Sequence, residues 1–179
     1  MKTEQAVKEQ PRQAAGVNLP VENKISLIVF SGDLDKLLAA LILSTGAVAM
    51  GMKARLFFTF WGTAALRDAR KSVEGKNLMS KMFGFMLPKG ASKVKLSKMN
   101  MGGMGTAMMK MLMKQKKVAS LSEMLTLAGQ MGVEICVCEM SMGLMGFKRE
   151  ELIDYPHMSQ CGVATFLAEA NTSRVQLFI

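Results

Sequence analysis

Ile25-Ser26-Leu27-Ile28-Val29-Phe30, running directly into Ser31-Gly32-Asp33-Leu34-Asp35, decides the fold of this 179-residue chain. The first six residues form a nearly continuous, β-branched apolar run, the pattern of a strand buried on both faces of a parallel sheet. The next five supply capping oxygens, a glycine turn and carboxylates where a helix dipole favours them. Leu34, Leu37, Leu38, Leu41, Thr45 and Val48 then recur at helical spacing up to Gly51, a suitable C-cap. Ala54 to Phe60 is a second buried run, so the three pieces make a β-α-β unit with a right-handed crossover.

Outward from that unit the alternation continues. A short helix is expected over Ala64 to Lys71, and a capped helix over Ser120 to Met131 with Glu123 three residues after Ser120. Val133 to Cys138 reads as a third strand, Met140 to Phe147 as a short helix or turn, and Glu150 to Ile153 as another. Ser159 to Ala170 reads as a helix and Val175 to Ile179 as a final strand. This order predicts an α/β protein: a mostly parallel sheet of four to five strands between helical layers. Residues 1–23, polar and mixed in charge, read as a flexible tail. The remainder, 24–179, is a single domain interrupted by a segment at 75–119.

That segment carries the charge. Of the 23 basic residues, ten are lysines between Gly75 and Ser122, a stretch without an acid, while the rest of the chain has 13 basic and 14 acidic residues. Ten of the 19 methionines lie between Met79 and Met113. A local basic field with adaptable apolar side chains suits an acidic protein or an anionic membrane surface at residues 75–117. Met99, Met101, Met104, Met108 and Met109 also offer soft Cu(I) ligands, but the clustered lysines oppose a cation. Aromatic residues are absent between residues 89 and 117, which argues against nucleic acid. The longest apolar run, Leu37 to Met52, falls short of the roughly 20 residues a membrane span needs. No apolar leader follows the N-terminal lysines, and three cysteines suit a reducing compartment better than a disulfide framework.

Ligands of open parallel sheets collect at the carboxyl ends of the strands. Ser31 to Asp35, Thr59 to Thr63 and Cys138 to Gly143 occupy that edge, and only the last brings a reactive atom. A thiol at a strand end, ahead of a helix N-terminus, can have its thiolate stabilised by the dipole and by amides around Ser141, Met142 and Gly143. Position alone leaves Cys138 open between that role and packing as a small buried hydrophobe. Cys136, in mid-strand, and Cys161, inside a packed helix, read as structural. An i,i+2 disulfide between Cys136 and Cys138 would be strained. His157 has no partner evident in the sequence, and no zinc-ligand spacing is present.

Ser31-Gly32-Asp33-Leu34-Asp35-Lys36, Phe57-Phe58-Thr59-Phe60-Trp61-Gly62, Asn100-Met101-Gly102-Gly103-Met104-Gly105, Cys138-Glu139-Met140-Ser141-Met142 with Met145-Gly146, and Gly162-Val163-Ala164-Thr165 occur in this order. Together they resemble the DsrE/DsrF-like family of sulfur-relay proteins, in its branch with a methionine-rich insertion. The resemblance implies a flavodoxin-like three-layer α/β/α fold and assembly into homo-oligomers in the cytoplasm. It also implies a cysteine, matching Cys138, that accepts sulfur as a persulfide or thiosulfonate. Implied partners are small sulfur carriers of the TusA type and rhodaneses. Ser31, Gly32, Asp33, Thr59, Trp61, Gly62, Ser141 and Met142 would shape the pocket. Such chemistry needs an accessible thiolate but no cofactor, metal or general base, and describes a carrier rather than a high-turnover enzyme. The competing expectation is a non-catalytic docking module, at a protein or membrane surface, with Cys138 only packed.

Overall fold

The computed structural model describes residues 20–71 and 86–179. Most of the expected tail, and residues 75–85 of the basic segment with Lys76 and Lys81, lie outside these. Strands β1 (Glu22–Val29), β2 (Lys53–Phe58), β3 (Glu134–Cys138), β4 (Met158–Cys161) and β5 (Ser173–Phe178) form one sheet in the order β4-β3-β2-β1-β5. Every neighbouring pair is parallel. The flavodoxin-like sheet expected from the sequence is therefore present, with five strands. Glu22 and Asn23, assigned above to the tail, already belong to β1.

Side chains alternate across each strand, so each strand contributes to two layers. Leu27, Val29, Leu56, Phe58, Ile135 and Val137 enter the larger core with Leu37 and Leu41 of α1 (Leu34–Ala49). Phe57, Cys136 and Cys138 face the other way, into a smaller cluster with Cys161 and Phe166. Phe57 and Phe166 stack there with ring centroids 4.6 Å apart.

Between β2 and β3 run α2 (Trp61–Ala64), α3 (Met104–Gln115) and α4 (Leu121–Gln130). The capping box opening α4 is formed: Ser120 accepts from the Glu123 amide, and the Glu123 carboxylate accepts from the Ser120 amide. The remaining helices are α5 (Glu139–Met145) and α6 (Val163–Ala170). Among the described residues, no helix is long and apolar enough to cross a membrane.

Two expected elements differ. The helix placed over Ala64 to Lys71 is instead α2 followed by a turn, because this stretch pairs its backbone with a distant segment. Asp68 N–H donates to the Glu151 carbonyl (2.7 Å) and Ile153 N–H to the Leu66 carbonyl (2.8 Å). The helix placed over Ser159 to Ala170 begins only at Val163, after Gly162; the residues before it are the edge strand β4.

The basic segment is tied to the start of α1. The Leu34 amide donates to the Lys95 carbonyl (2.8 Å), and the Asp35 carboxylate accepts from the Ser97 amide and hydroxyl (2.9 and 2.6 Å). Beyond this anchor, α3 leaves Met104, Met108 and Met111 exposed.

The turns after β1 and β2 lie back to back. A Cβ on Gly62 would meet the Val29 carbonyl oxygen at 2.5 Å, and one on Gly32 would meet the Trp61 carbonyl oxygen at 2.6 Å. Both obstacles are backbone, so neither yields cheaply. Gly62→Ala is expected to cost about 1–3 kcal/mol, as overpacking usually does. Gly143→Ala, where a Cβ meets nothing within 4 Å, should leave urea-unfolding midpoints unchanged or slightly raised.

Candidate functional site at the ends of β1, β2 and β3

Cys138 ends β3 and starts α5, and it is the free cysteine among the described residues. Its side chain is wholly buried, against the accessible thiolate anticipated from the sequence. Burial raises its ionisation range, but hydrogen bonding outweighs burial and the net direction is downward. The Ser141 hydroxyl and amide lead that effect, followed by the Thr59 hydroxyl and the Met140 amide. The thiol makes no formal capping bond, and α5 has only seven residues, so these local donors matter more than a helix dipole.

Ser141 organises the donors. Its fully buried hydroxyl lies 2.8 Å from Thr59 Oγ1 and accepts from the Phe60 amide at 3.0 Å. Phe60 sits at φ 44°, ψ −124°, a conformation that costs a non-glycine residue about 1–3 kcal/mol. The bond to Ser141 helps hold it there. The end of β2 and the start of α5 are thus joined beside the sulfur.

Thr59 and Ser141 therefore meet at Cys138. Met142 is buried next to them in sequence, and its sulfur accepts from Gln160 Nε2 (3.2 Å). Trp61 is half exposed and Gly62 N–H donates to the Phe30 carbonyl (3.0 Å), closing the β2 turn onto β1. Ser31, Gly32 and Asp33 belong to a separate grouping. The Ser31 hydroxyl donates to the Asp33 carboxylate (2.8 Å), and Gly32 and Asp33 line a cleft with Arg67, Lys89, Lys93 and Lys95. Lys89, Lys93 and Lys95 thus gather beside the end of β1. Among the described residues, no group of three or more His, Cys, Asp or Glu is placed to hold a metal ion.

One feature of the cluster is not legible in the sequence. Cys136 and Cys161 are joined as a disulfide, with Cα atoms 6.0 Å apart. Cys161 was expected inside a helix; as the last residue of β4 it aligns with Cys138 and faces the same cluster as Cys136. The only sequence signal was the helix-stopping Gly162 directly after it.

One change isolates the role of Ser141. Losing a hydrogen bond to a charged group costs about 1.5–3 kcal/mol, a tenfold or larger change in equilibrium. Ser141→Ala should therefore move Cys138 ionisation upward, so that the pH midpoint of its alkylation rises. Alkylation rate followed against pH checks this. The sign for stability follows from the same shift. The thiolate's hydrogen bonds contribute fully above the ordinary thiol range, about pH 8.5. That contribution is lost as pH falls through the lower folded value.

Comparison with known proteins agrees with this architecture. The crystal structure of the ychN protein from E. coli shares the fold, with a TM-score of 0.50 at 13% identity, covering 87% of this chain and 98% of that one. Protein YrkE of Bacillus subtilis (strain 168) is 42% identical over 156 residues, which is 87% of this chain and 96% of YrkE. The sulfur carrier protein DsrE2 of Allochromatium vinosum is 33% identical over 162 residues, 88% of this chain and 99% of DsrE2. A sequence profile for the DsrE/DsrF/DrsH-like family matches residues 21–178, almost the whole described fold, and the chain is a member of that family.

Proposed function

We propose that this protein is a sulfur carrier that holds sulfane sulfur or a thiosulfonate on Cys138 and passes it to an acceptor thiol. The observation that carries the reading is the free Cys138 thiol, whose ionisation is favoured by Ser141, Thr59 and the Met140 amide. The likeness to a protein named as a sulfur carrier supports it.

In the forward step the Cys138 thiolate bonds to the sulfane sulfur of a donor, and the donor's own sulfur leaves as a thiolate. In the second step an acceptor thiolate attacks that outer sulfur and Cys138 departs as a thiolate again. Neither step needs a general base or a cofactor. Because Cys138 is buried, sulfur reaches it when the strand-end turns part, a route open to a small persulfide or polysulfide as well as to a donor protein. A TusA-type carrier or a rhodanese in the cytoplasm has the required chemistry. Copies of the chain would assemble through the thinly covered sheet face, where Val163, Leu167 and Phe178 stay exposed.

The exposed methionines of α3, with Lys110, Lys114, Lys116 and Lys117, favour a second reading: a docking module for an acidic partner or anionic membrane, with Cys138 merely packed. Binding to anionic vesicles that weakens with salt, alongside an inert Cys138, would support it. The deciding experiment is intact mass after exposure to tetrathionate or polysulfide, with Cys138→Ser as comparison. Added sulfur confined to Cys138 supports the carrier. A full mass shift retained by Cys138→Ser overturns it.

A further inference from the structure

Three sulfur atoms share the smaller core cluster: those of Cys136, Cys138 and Cys161. Cys161 aligns with Cys138 across the β3–β4 ladder, and its Cα lies 6.0 Å from that of Cys136, to which it is bonded. Neighbouring strands run roughly 4.8 Å apart, and disulfides span Cα separations of about 4.4–6.8 Å. Cys161 is thus within bonding range of both cysteines of β3, whereas those two, spaced i,i+2 on one extended strand, are poorly placed to join each other. A residue that can exchange between two partners, one of them a free thiol whose ionisation is favoured by its hydrogen bonds, has a chemical use beyond stapling an edge strand.

We propose that Cys161 is a resolving thiol that discharges sulfur from Cys138 as hydrosulfide, and that the Cys136–Cys161 disulfide switches this discharge off. The inference rests on the sulfur-carrier reading of Cys138. With all three cysteines reduced and a persulfide on Cys138, Cys161 Sγ attacks Cys138 Sγ. The Cys138–Cys161 bond forms, the bond from Cys138 to its sulfane sulfur breaks, and that sulfur leaves with the electron pair. It takes the Cys161 proton and departs as hydrosulfide. Two cysteine sulfurs are oxidised to a disulfide while one sulfane sulfur is reduced, so no outside oxidant enters.

The Cys136 thiol then attacks Cys161, expelling Cys138 as a thiolate and giving its proton to solvent. The product is the arrangement in the structure: Cys138 free, Cys136 and Cys161 joined. In this state Cys161 is withheld, and sulfur placed on Cys138 stays there for transfer. A dithiol reductant must reopen the disulfide before another discharge. The redox state of one pair thereby selects between carrying sulfur and releasing it.

The test uses the full chain, prepared reduced and in its disulfide form, with one equivalent of glutathione persulfide as donor. Hydrosulfide is trapped with monobromobimane, and intact and peptide masses are followed. The reduced wild type should release about one hydrosulfide per chain and end as the Cys136–Cys161 disulfide. The disulfide form and Cys161→Ser should keep sulfur on Cys138 and release at least tenfold less. Cys136→Ser should discharge but stop with the tryptic peptides of Cys138 and Cys161 cross-linked. Cys161→Ser loading Cys138 yet releasing hydrosulfide like the reduced wild type would overturn the resolving role and leave the carrier reading intact. So would a Cys136→Ser protein that discharges without the cross-link. Absence of added sulfur on Cys138 in Cys161→Ser and in the disulfide form would instead overturn the carrier reading, and the resolving role with it.

Discussion

Cys138→Ser is expected to lose sulfur loading completely while keeping the fold. Serine replaces one buried sulfur by a smaller oxygen in the same place. The Ser141 and Thr59 hydroxyls, 2.8 Å from each other, remain to hydrogen-bond it. The exchange should therefore change stability by only about 1 kcal/mol, the net scale of a hydrogen bond. Its effect on chemistry is all or none, because an alcohol is not ionised near neutral pH and cannot displace a thiolate from a sulfane sulfur. The other two cysteines offer no substitute in the disulfide form, where both sulfurs are already bonded. Intact mass after polysulfide treatment, with circular dichroism as the check on folding, reads both halves of the result.

The second large effect lies away from the thiol. Glu151→Ala should destabilise the protein by about 3–5 kcal/mol, the usual consequence of removing one partner of a buried ion pair. Arg67 and Glu151 meet at 3.4 Å with both side chains only 3% exposed. The guanidinium also lies 4.6 Å from the Phe147 ring centroid, and Glu151 Oε1 accepts from the Lys148 amide (3.1 Å). Alanine removes the Glu151 carboxylate from beside the Arg67 guanidinium in the core. Against a typical total of about 5–15 kcal/mol, that is a large fraction. Replacing both residues by apolar ones, Arg67→Met with Glu151→Leu, should recover part of the loss, since neither of these two charges is then buried. Urea midpoints of the single and double variants give the comparison. A single variant within 1 kcal/mol of wild type would show that the pair contributes little.

What could be read beforehand followed burial. Strands β1, β2 and β3 are covered on both faces, so they announce themselves as apolar runs, and the Ser120–Glu123 capping box marks its helix through local chemistry alone. Strand β4, Met158-Ser159-Gln160-Cys161, sits at a sheet edge with Ser159 and Gln160 exposed, and its polar composition carries no strand pattern. Without a strand pattern there, the alignment of Cys161 with Cys138 is hidden in the sequence as well. The stretch around Arg67 looked helical because its decisive partners, Glu151 and Ile153, are more than 80 residues away. For the site, the sequence could place Cys138 at a strand end beside Ser141. It could not show that Gly32 and Asp33 line the lysine cleft, because that depends on where the basic segment folds back.

The strained turn at Phe60 has a practical consequence. Ser141 binds the Phe60 amide while also facing Cys138, and the next residue is Trp61, the sole tryptophan of the chain and half exposed. Any event at the sulfur that shifts the Ser141 hydroxyl is transmitted through one hydrogen bond to the backbone carrying that indole. The molecule therefore contains its own fluorophore beside the candidate site, with no other indole contributing background, and sulfur chemistry there can be followed optically in real time without a label.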